Sequence, residues 1–184
     1  GKMKSREGTV VDADDLLAEM RESAESVAIE AGKLDNIPEE DRPKLFKQVG
    51  YGALKYFLLK VDPKKSMMFD PKSSIDFIGN TGPYVQFNYV RSRSILRNAQ
   101  IDDVSLLNVN SNICFDDIEK ALLMTALSLP EVIEEAARLY DPSVVANLCY
   151  EITKSYSSWY QDHPILKEED AELRTARLAI CSLC

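Results

Sequence analysis

The stretch from Gly82 to Arg97 constrains the fold more than any other part of the chain. Gly82 interrupts the preceding loop, and Pro83 suits the first position of a helix, where an N–H group has no partner to bond. At about 100° per residue, the side chains that follow separate into three faces. The face that we predict to be buried carries Val85, Tyr89, Ser92 and Leu96. A second, basic face carries Gln86, Val90, Arg93 and Arg97.

The third face of this helix mixes aromatic rings with Asn and Arg, and it carries Tyr84, Phe87, Asn88, Arg91 and Ile95. Flat rings beside a guanidinium group suit an unstacked RNA base, which gains about 1–3 kcal/mol by stacking on such a ring. The periodicity alone also allows a helix that is buried on two sides, with Tyr84 and Phe87 as core residues. The pattern therefore indicates either an RNA-binding face or a second packed face.

The composition is typical of a soluble globular protein, with 184 residues, of which 45% are hydrophobic and 28% charged. No apolar run approaches the length of about 18 residues that a membrane span requires. The N-terminal residues carry Lys, Asp and Glu where a signal peptide would be apolar. The four cysteines do not form a regular framework of pairs, so we expect a reducing compartment, a cytoplasmic location and no membrane partner.

The net charge of −8 argues against a general nucleic-acid-binding protein, but the charges are unevenly distributed. Residues 1–41 contain 5 basic and 12 acidic side chains, residues 42–100 contain 11 and 3, and residues 101–184 contain 6 and 15. A basic segment between acidic ones fits a protein that contacts phosphates along one stripe and repels them elsewhere. Chance clustering on solvated helix faces explains the same distribution.

Start and stop residues in the first half of the chain predict helices separated by a broken segment. Asp12 and Gly32 delimit a first helix, and a second is expected from about Pro43 to Val61. From Asp62 to Asn80 the chain is interrupted by Pro, Asp and Ser, and Met67–Phe69 is a candidate short strand.

The second half of the chain predicts three more helices, beginning near Asp116, at Pro130 and after Pro142. On the last of these, Tyr156 and Trp159 share the apolar face and are expected in the core. Two further rings on this helix are the more plausible ligand contacts, Tyr150 and Tyr160. The chain is therefore expected to be mainly α, with a helical bundle as its principal architecture.

Four blocks of the sequence, in the same order, resemble segments of arginyl-tRNA synthetase, a class I aminoacyl-tRNA synthetase. Residues 79–87, followed by Arg91, resemble the start of that family's helical anticodon-binding domain. Residues 1–11 resemble its KMSKS loop, in the diverged Lys-Ser/Thr-Arg-x-Gly form. Residues 49–57 resemble its Val-Gly-x-Gly-Ala-Leu-Lys-Tyr helix, and residues 142–160 resemble a later helix of the anticodon-binding domain.

The resemblance implies a C-terminal part of an arginine–tRNA ligase. Residues 1–82 would end the catalytic domain, and residues 83–184 would form a truncated anticodon-binding domain. Lys4, helped by Lys2, would be catalytic, because lysines of such a loop neutralise charge that grows on the ATP phosphates. The other loop residues are Met3, Ser5 and Arg6. The residues implied to contact tRNA(Arg) are Lys55, Tyr84, Phe87, Asn88, Arg91, Arg93 and Tyr160.

The resemblance also sets the expected ligands. The parent enzyme would use ATP and Mg²⁺ to activate arginine and would then esterify arginine onto tRNA(Arg). We expect no cofactor bound to the fragment and no DNA partner. The fragment has no His-x-Gly-His motif, the other half of the family's active site, so we predict that it cannot charge tRNA alone.

Other interpretations of the sequence stay open. The acidic flanks also suit a non-enzymatic helical adaptor that binds protein, and another class I synthetase, such as the cysteinyl or methionyl type, would have a similar architecture. Cys181 and Cys184 have CxxC spacing, but Cys114 and Cys149 stand alone and His163 is the one histidine. Buried thiols are therefore more plausible than a metal site.

Overall fold

The computed structural model describes residues 12–30, 32, 34–35, 37–68, 70–101 and 112–184. Within these residues the regular structure is entirely helical, which confirms the predicted fold class. Apart from a short 3₁₀ turn at Glu39–Asp41, the helices are α1 (Ala13–Glu30), α2 (Arg42–Leu59), α3 (Pro71–Ser74), α4 (Gly82–Ala99), α5 (Asp117–Leu127), α6 (Leu129–Leu139), α7 (Ser143–Asp162) and α8 (Ala171–Leu183). The candidate strand is wrong at Met67 and Met68, which lie in irregular, exposed chain.

The KMSKS-like loop lies outside the described residues. This affects five of the predicted site residues, which are Lys2, Met3, Lys4, Ser5 and Arg6.

The chain divides into two compact units, one of residues 1–61 and 65–83, the other of residues 62–64 and 84–184. In the first unit, α1 packs along α2. A Cβ atom on Gly50 would lie 2.5 Å from the carbonyl oxygen of Met20, so only glycine allows the two helices to approach this closely. The core of this unit consists of Met20, Ala24, Phe46, Ala53, Leu54 and Ile75.

The first unit also fixes the beginning of α4. A Cβ atom on Gly82 would lie 2.7 Å from the carbonyl oxygen of Gly52, so α4 begins in direct contact with the backbone of α2. Beside this contact, the Tyr56 hydroxyl donates to Asn80 Oδ1 at 2.6 Å, and Lys60 Nζ donates to the Asn80 carbonyl at 2.6 Å. Contacts of α2, and of Lys60 directly after it, with residues 80–82 therefore surround the start of α4.

The second unit is built around the buried rings of α7. Tyr156 and Trp159 lie at the centre of a core with Ile95, Leu96, Leu122, Ile165, Leu178, Ile180 and Cys181. α5 begins with a capping box, in which the Asp116 side chain accepts from the Glu119 N–H and the Glu119 side chain accepts from the Asp116 N–H. The helix starts that the sequence predicted near Asp116, Pro130 and Pro142 are confirmed to within a residue or two.

A buried ionic network holds the end of this unit together. Arg177 of α8 donates from Nε to Glu119 Oε1 at 2.8 Å, and from Nη1 to Glu168 Oε2 at 2.6 Å and the Pro164 carbonyl at 2.9 Å. Glu119 is 1% exposed, and the hydrogen bond from Arg177 offsets the cost of burying its carboxylate.

The predicted buried face of α4 is partly wrong. Tyr89 is 59% exposed, whereas Asn88, Ser92, Ile95 and Leu96 are buried. The buried stripe is therefore displaced around the helix axis toward the face that carries Asn88 and Ile95. The aromatic and arginine side chains of that face lie beside the buried stripe, at its border with solvent.

Candidate nucleic-acid interface

Three of the predicted site residues form one stack on the surface of the second unit. The Arg91 guanidinium carbon lies 4.6 Å from the centre of the Phe87 ring and 4.8 Å from the centre of the Tyr160 ring. Phe87 and Arg91 are four residues apart on α4 and therefore share a face, whereas Tyr160 comes from the last turn of α7. Phe87 is 40% exposed and Tyr160 is 38% exposed. The structure thus brings an arginine and two accessible rings from separate helices into one cation–π sandwich.

One hydrogen bond at the edge of this sandwich fixes the guanidinium. Arg91 Nη1 donates to Asn88 Oδ1 at 3.0 Å, and Asn88 Nδ2 donates to the Tyr84 carbonyl at 3.0 Å. Asn88 was predicted to face the tRNA, but it is 3% exposed and both ends of its amide are bonded within α4. Its position allows it to hold Arg91 and leaves it little surface for a ligand.

The Tyr160 ring packs against a buried residue of the core. Its ring stacks on that of Tyr156, with centres 6.4 Å apart and planes 26° apart. Tyr156 is buried, and burial raises the pKa of its hydroxyl, which therefore stays neutral and contacts the Cys181 sulfur at 3.7 Å. Because Tyr156 packs against Trp159 in the core, the exposed ring of Tyr160 is held by the interior of the unit.

The other predicted contact residues have different surroundings. Tyr84 is half-buried, and its ring meets that of Tyr150 at 6.2 Å, so two rings named from the sequence contact each other. Arg93 is half-buried on α4. Lys55 is exposed on α2 and belongs to the first unit.

A second polar cluster joins α5 to the end of α7. His163 Nε2 lies 2.6 Å from Asp116 Oδ2, and His163 Nδ1 lies 2.9 Å from the Trp159 carbonyl. The Glu119 N–H, and after it the His163 ring, hold the pKa of Asp116 below its usual value. Both Asp116 and His163 stand out in the sequence, one as a helix cap and the other as a lone histidine, but no local pattern predicts that they pair.

Two groups of side chains resemble metal ligands in type. Asp116, Glu119 and His163 have ligand atoms within 4.8 Å of one another, but the Glu119 oxygens already accept from Arg177 and from a helix N–H. Cys181 and Cys184 are enclosed, and burial raises the pKa of each thiol to about 12, which disfavours the thiolate that a metal requires. Among the described residues, no helix is both long and apolar enough to cross a membrane.

An exposed arginine–aromatic cluster is compatible with the stacking of single-stranded RNA bases, and comparison with known proteins gives the class. Residues 85–184 match the profile of the DALR anticodon binding domain, and the chain belongs to that family. Its relatives are arginine–tRNA ligases. It is 48% identical over 180 residues to the enzyme of Flavobacterium psychrophilum, an alignment that covers 98% of this chain and 29% of that protein.

Two further comparisons agree. The arginine–tRNA ligase of Parabacteroides distasonis is 47% identical over 181 residues, which cover 98% of this chain and 30% of that protein. The solved arginyl-tRNA synthetase of Thermus thermophilus superposes with a TM-score of 0.80 at 28% identity, covering 96% of this chain and 29% of that one. The chain thus spans about three tenths of the length of the curated relatives it matches. The resemblance to arginyl-tRNA synthetase is confirmed.

Proposed function

We propose that this chain is the C-terminal part of an arginine–tRNA ligase and that its second unit binds the anticodon stem-loop of tRNA(Arg). The observation that carries the proposal is the sandwich of Arg91 between Phe87 and Tyr160 on an accessible surface. Bases of a single-stranded loop can be splayed out on binding, and exposed rings beside a cation suit both the base faces and the adjoining phosphates.

The geometry limits how such a site works. Because the Arg91 guanidinium lies against both Phe87 and Tyr160, a base stacks on the ring surface that Arg91 leaves exposed. Arg91 then offers its remaining N–H groups to a phosphate or to a base acceptor. Tyr84 adds a further ring, and Arg93 and Lys55 supply positive charge for phosphates within the basic segment of residues 42–100.

The proposal extends to the whole enzyme. We assign residues 1–82 to the end of the catalytic domain and residues 83–184 to the anticodon-binding domain. The unit boundary at residues 83 and 84 and the family match from residue 85 support this division. Lys4 and Lys2, with the loop residues Met3, Ser5 and Arg6, act on ATP. The enzyme uses ATP and Mg²⁺ to activate arginine, works in the cytoplasm and has no DNA or membrane partner.

Filter binding of an anticodon stem-loop RNA to the purified chain tests the proposal. An RNA with an arginine anticodon should bind more tightly than one with an unrelated anticodon. Tyr160→Ala should weaken binding by about 1–3 kcal/mol, which is the value of one stacked base. Arg93→Ala should mainly reduce the dependence of affinity on salt concentration.

Tyr140→Ala is the matched control, because Tyr140 is an exposed tyrosine that follows α6 and has no place in the proposed site. It should leave the affinity unchanged. Unchanged affinity in Tyr160→Ala and Arg93→Ala as well would overturn the proposed interface. We propose that the His-x-Gly-His half of the active site lies in another part of the enzyme. If the 184 residues alone charged tRNA with arginine, this proposal would be wrong.

A further inference from the structure

Asn88 occupies a position that its chemistry does not favour. It lies on the buried stripe of α4 with Ser92, Ile95 and Leu96, where an apolar side chain would pack without cost. Burying an amide is unfavourable unless its donor and its acceptor are both bonded. Both are bonded here, to the Tyr84 carbonyl and to Arg91. The arrangement therefore requires a short side chain that donates in one direction and accepts in the other.

The two partners of Asn88 leave its amide only one orientation. A carbonyl can only accept, so Nδ2 must point to Tyr84, and a guanidinium can only donate, so Oδ1 must point to Arg91. Asn88 is thus a fixed acceptor, anchored to the backbone of its own helix one turn earlier.

The contacts with the two rings do not fix the rotation of the Arg91 guanidinium group. The attraction of a cation to a ring depends mainly on where the charge lies over the ring face, so the contacts with Phe87 and Tyr160 do not by themselves choose which N–H groups point outward. Asn88 is the one hydrogen-bond partner of Arg91 among the residues that the structure describes. Its contact at Nη1 selects one orientation and thereby fixes which N–H groups of Arg91 are left for a ligand.

We propose that Asn88 is a positioning residue for RNA recognition, which acts through Arg91 by fixing the direction of the guanidinium N–H groups. The inference rests on the proposed function of this surface. It replaces the sequence-based prediction that Asn88 contacts the tRNA. Preorganisation of this kind strengthens binding because the RNA does not have to orient the arginine itself.

A double-mutant cycle with the arginine-anticodon stem-loop RNA tests the inference. Asn88→Ala should weaken binding by about three- to tenfold, a fraction of the value of one charged hydrogen bond. The same substitution in an Arg91→Ala background should change affinity little, because there is no guanidinium left to orient.

Ser92→Ala is the matched control for burial. Ser92 lies on the same buried stripe, and its hydroxyl donates to the Tyr89 carbonyl at 2.9 Å, so its hydrogen bond does not involve the Arg91 guanidinium. It should lower thermal stability without changing RNA affinity, whereas Asn88→Ala should change both.

The outcomes separate the inference from the function on which it rests. If Arg91→Ala binds like the wild type, the proposed interface fails. If Arg91→Ala weakens binding, but Asn88→Ala weakens it by the same factor in the wild type and in the Arg91→Ala background, Asn88 is structural and the inference fails.

A measurement on the unaltered chain covers the case in which Asn88→Ala does not fold. NMR of the wild type should show separate Nη1 and Nη2 signals for Arg91, since a fixed guanidinium rotates slowly. A single averaged signal would overturn the inference.

Discussion

Replacing Arg177 by Met should destabilise the second unit strongly. The substitution keeps an unbranched side chain but removes a guanidinium that donates to Glu119, to Glu168 and to the Pro164 carbonyl. Glu119 is 1% exposed, so its charge would remain buried without its partner. Breaking a buried ion pair in this way costs about 3–5 kcal/mol of unfolding free energy. For a chain of this size, that corresponds to a decrease in melting temperature of about 6–20 °C.

Urea unfolding followed by circular dichroism measures the loss. Arg138→Met is the control, because Arg138 is exposed and, among the residues that the structure describes, forms an ion pair only with Glu135 on α6, 3.9 Å away. An exposed pair of this kind contributes about 0–1 kcal/mol. Combining Glu119→Gln with Arg177→Met should restore part of the stability, because the uncompensated charge is then absent. Equal, small losses for the Arg177 and Arg138 variants would show that the network does not support the unit.

Two more predictions concern packing and acid stability. Gly50→Ala places a Cβ atom 2.5 Å from the Met20 carbonyl, and should lower the unfolding free energy by about 1–3 kcal/mol through forced separation of α1 and α2. An unchanged midpoint in thermal unfolding would contradict this close approach. Asp116→Asn keeps a capping oxygen but removes a charge whose pKa lies below its ordinary value of 3.8 in the fold. A carboxyl group whose pKa is lowered by folding stabilises the fold at pH values above its ordinary pKa, so the wild type should be more stable than the variant in that range. The difference in stability should vanish as the pH falls through the pKa of Asp116 in the folded protein. A difference that persisted at the lowest pH would refute this origin.

The sequence predicted the helices well where single residues determine their ends. Pro83 and the acid at Asp116 act within one turn, so their effect can be recognised without knowledge of the fold. The buried face of α4 was less predictable. Periodicity treats an amide as a surface residue, so it assigned Tyr89 to the core and Asn88 to the exterior, the reverse of what is found. The two hydrogen bonds that offset the burial of Asn88 depend on the rotamer of Arg91, which no residue pattern reveals.

The candidate site could also be predicted only in part, because some of its contacts join residues that are far apart in the sequence. Phe87 and Arg91 are four residues apart, and helical geometry alone places them on one face. Tyr160 comes from another helix, and only the resemblance to arginyl-tRNA synthetase indicated that it acts together with Phe87 and Arg91. The pairing of Asp116 with His163 is equally non-local, because it depends on how the end of α7 folds back toward the start of α5.

The position of Trp159 gives the chain a built-in optical reporter. It is the single tryptophan of the sequence, it is buried in the second unit, and it lies between Tyr156 at 5.7 Å and the stacked His163 ring at 5.8 Å. Intrinsic tryptophan fluorescence therefore follows the second unit alone, whereas the first unit emits no such signal. Emission from the enclosed indole will respond to disturbance of the packing beneath Tyr160, without any attached dye.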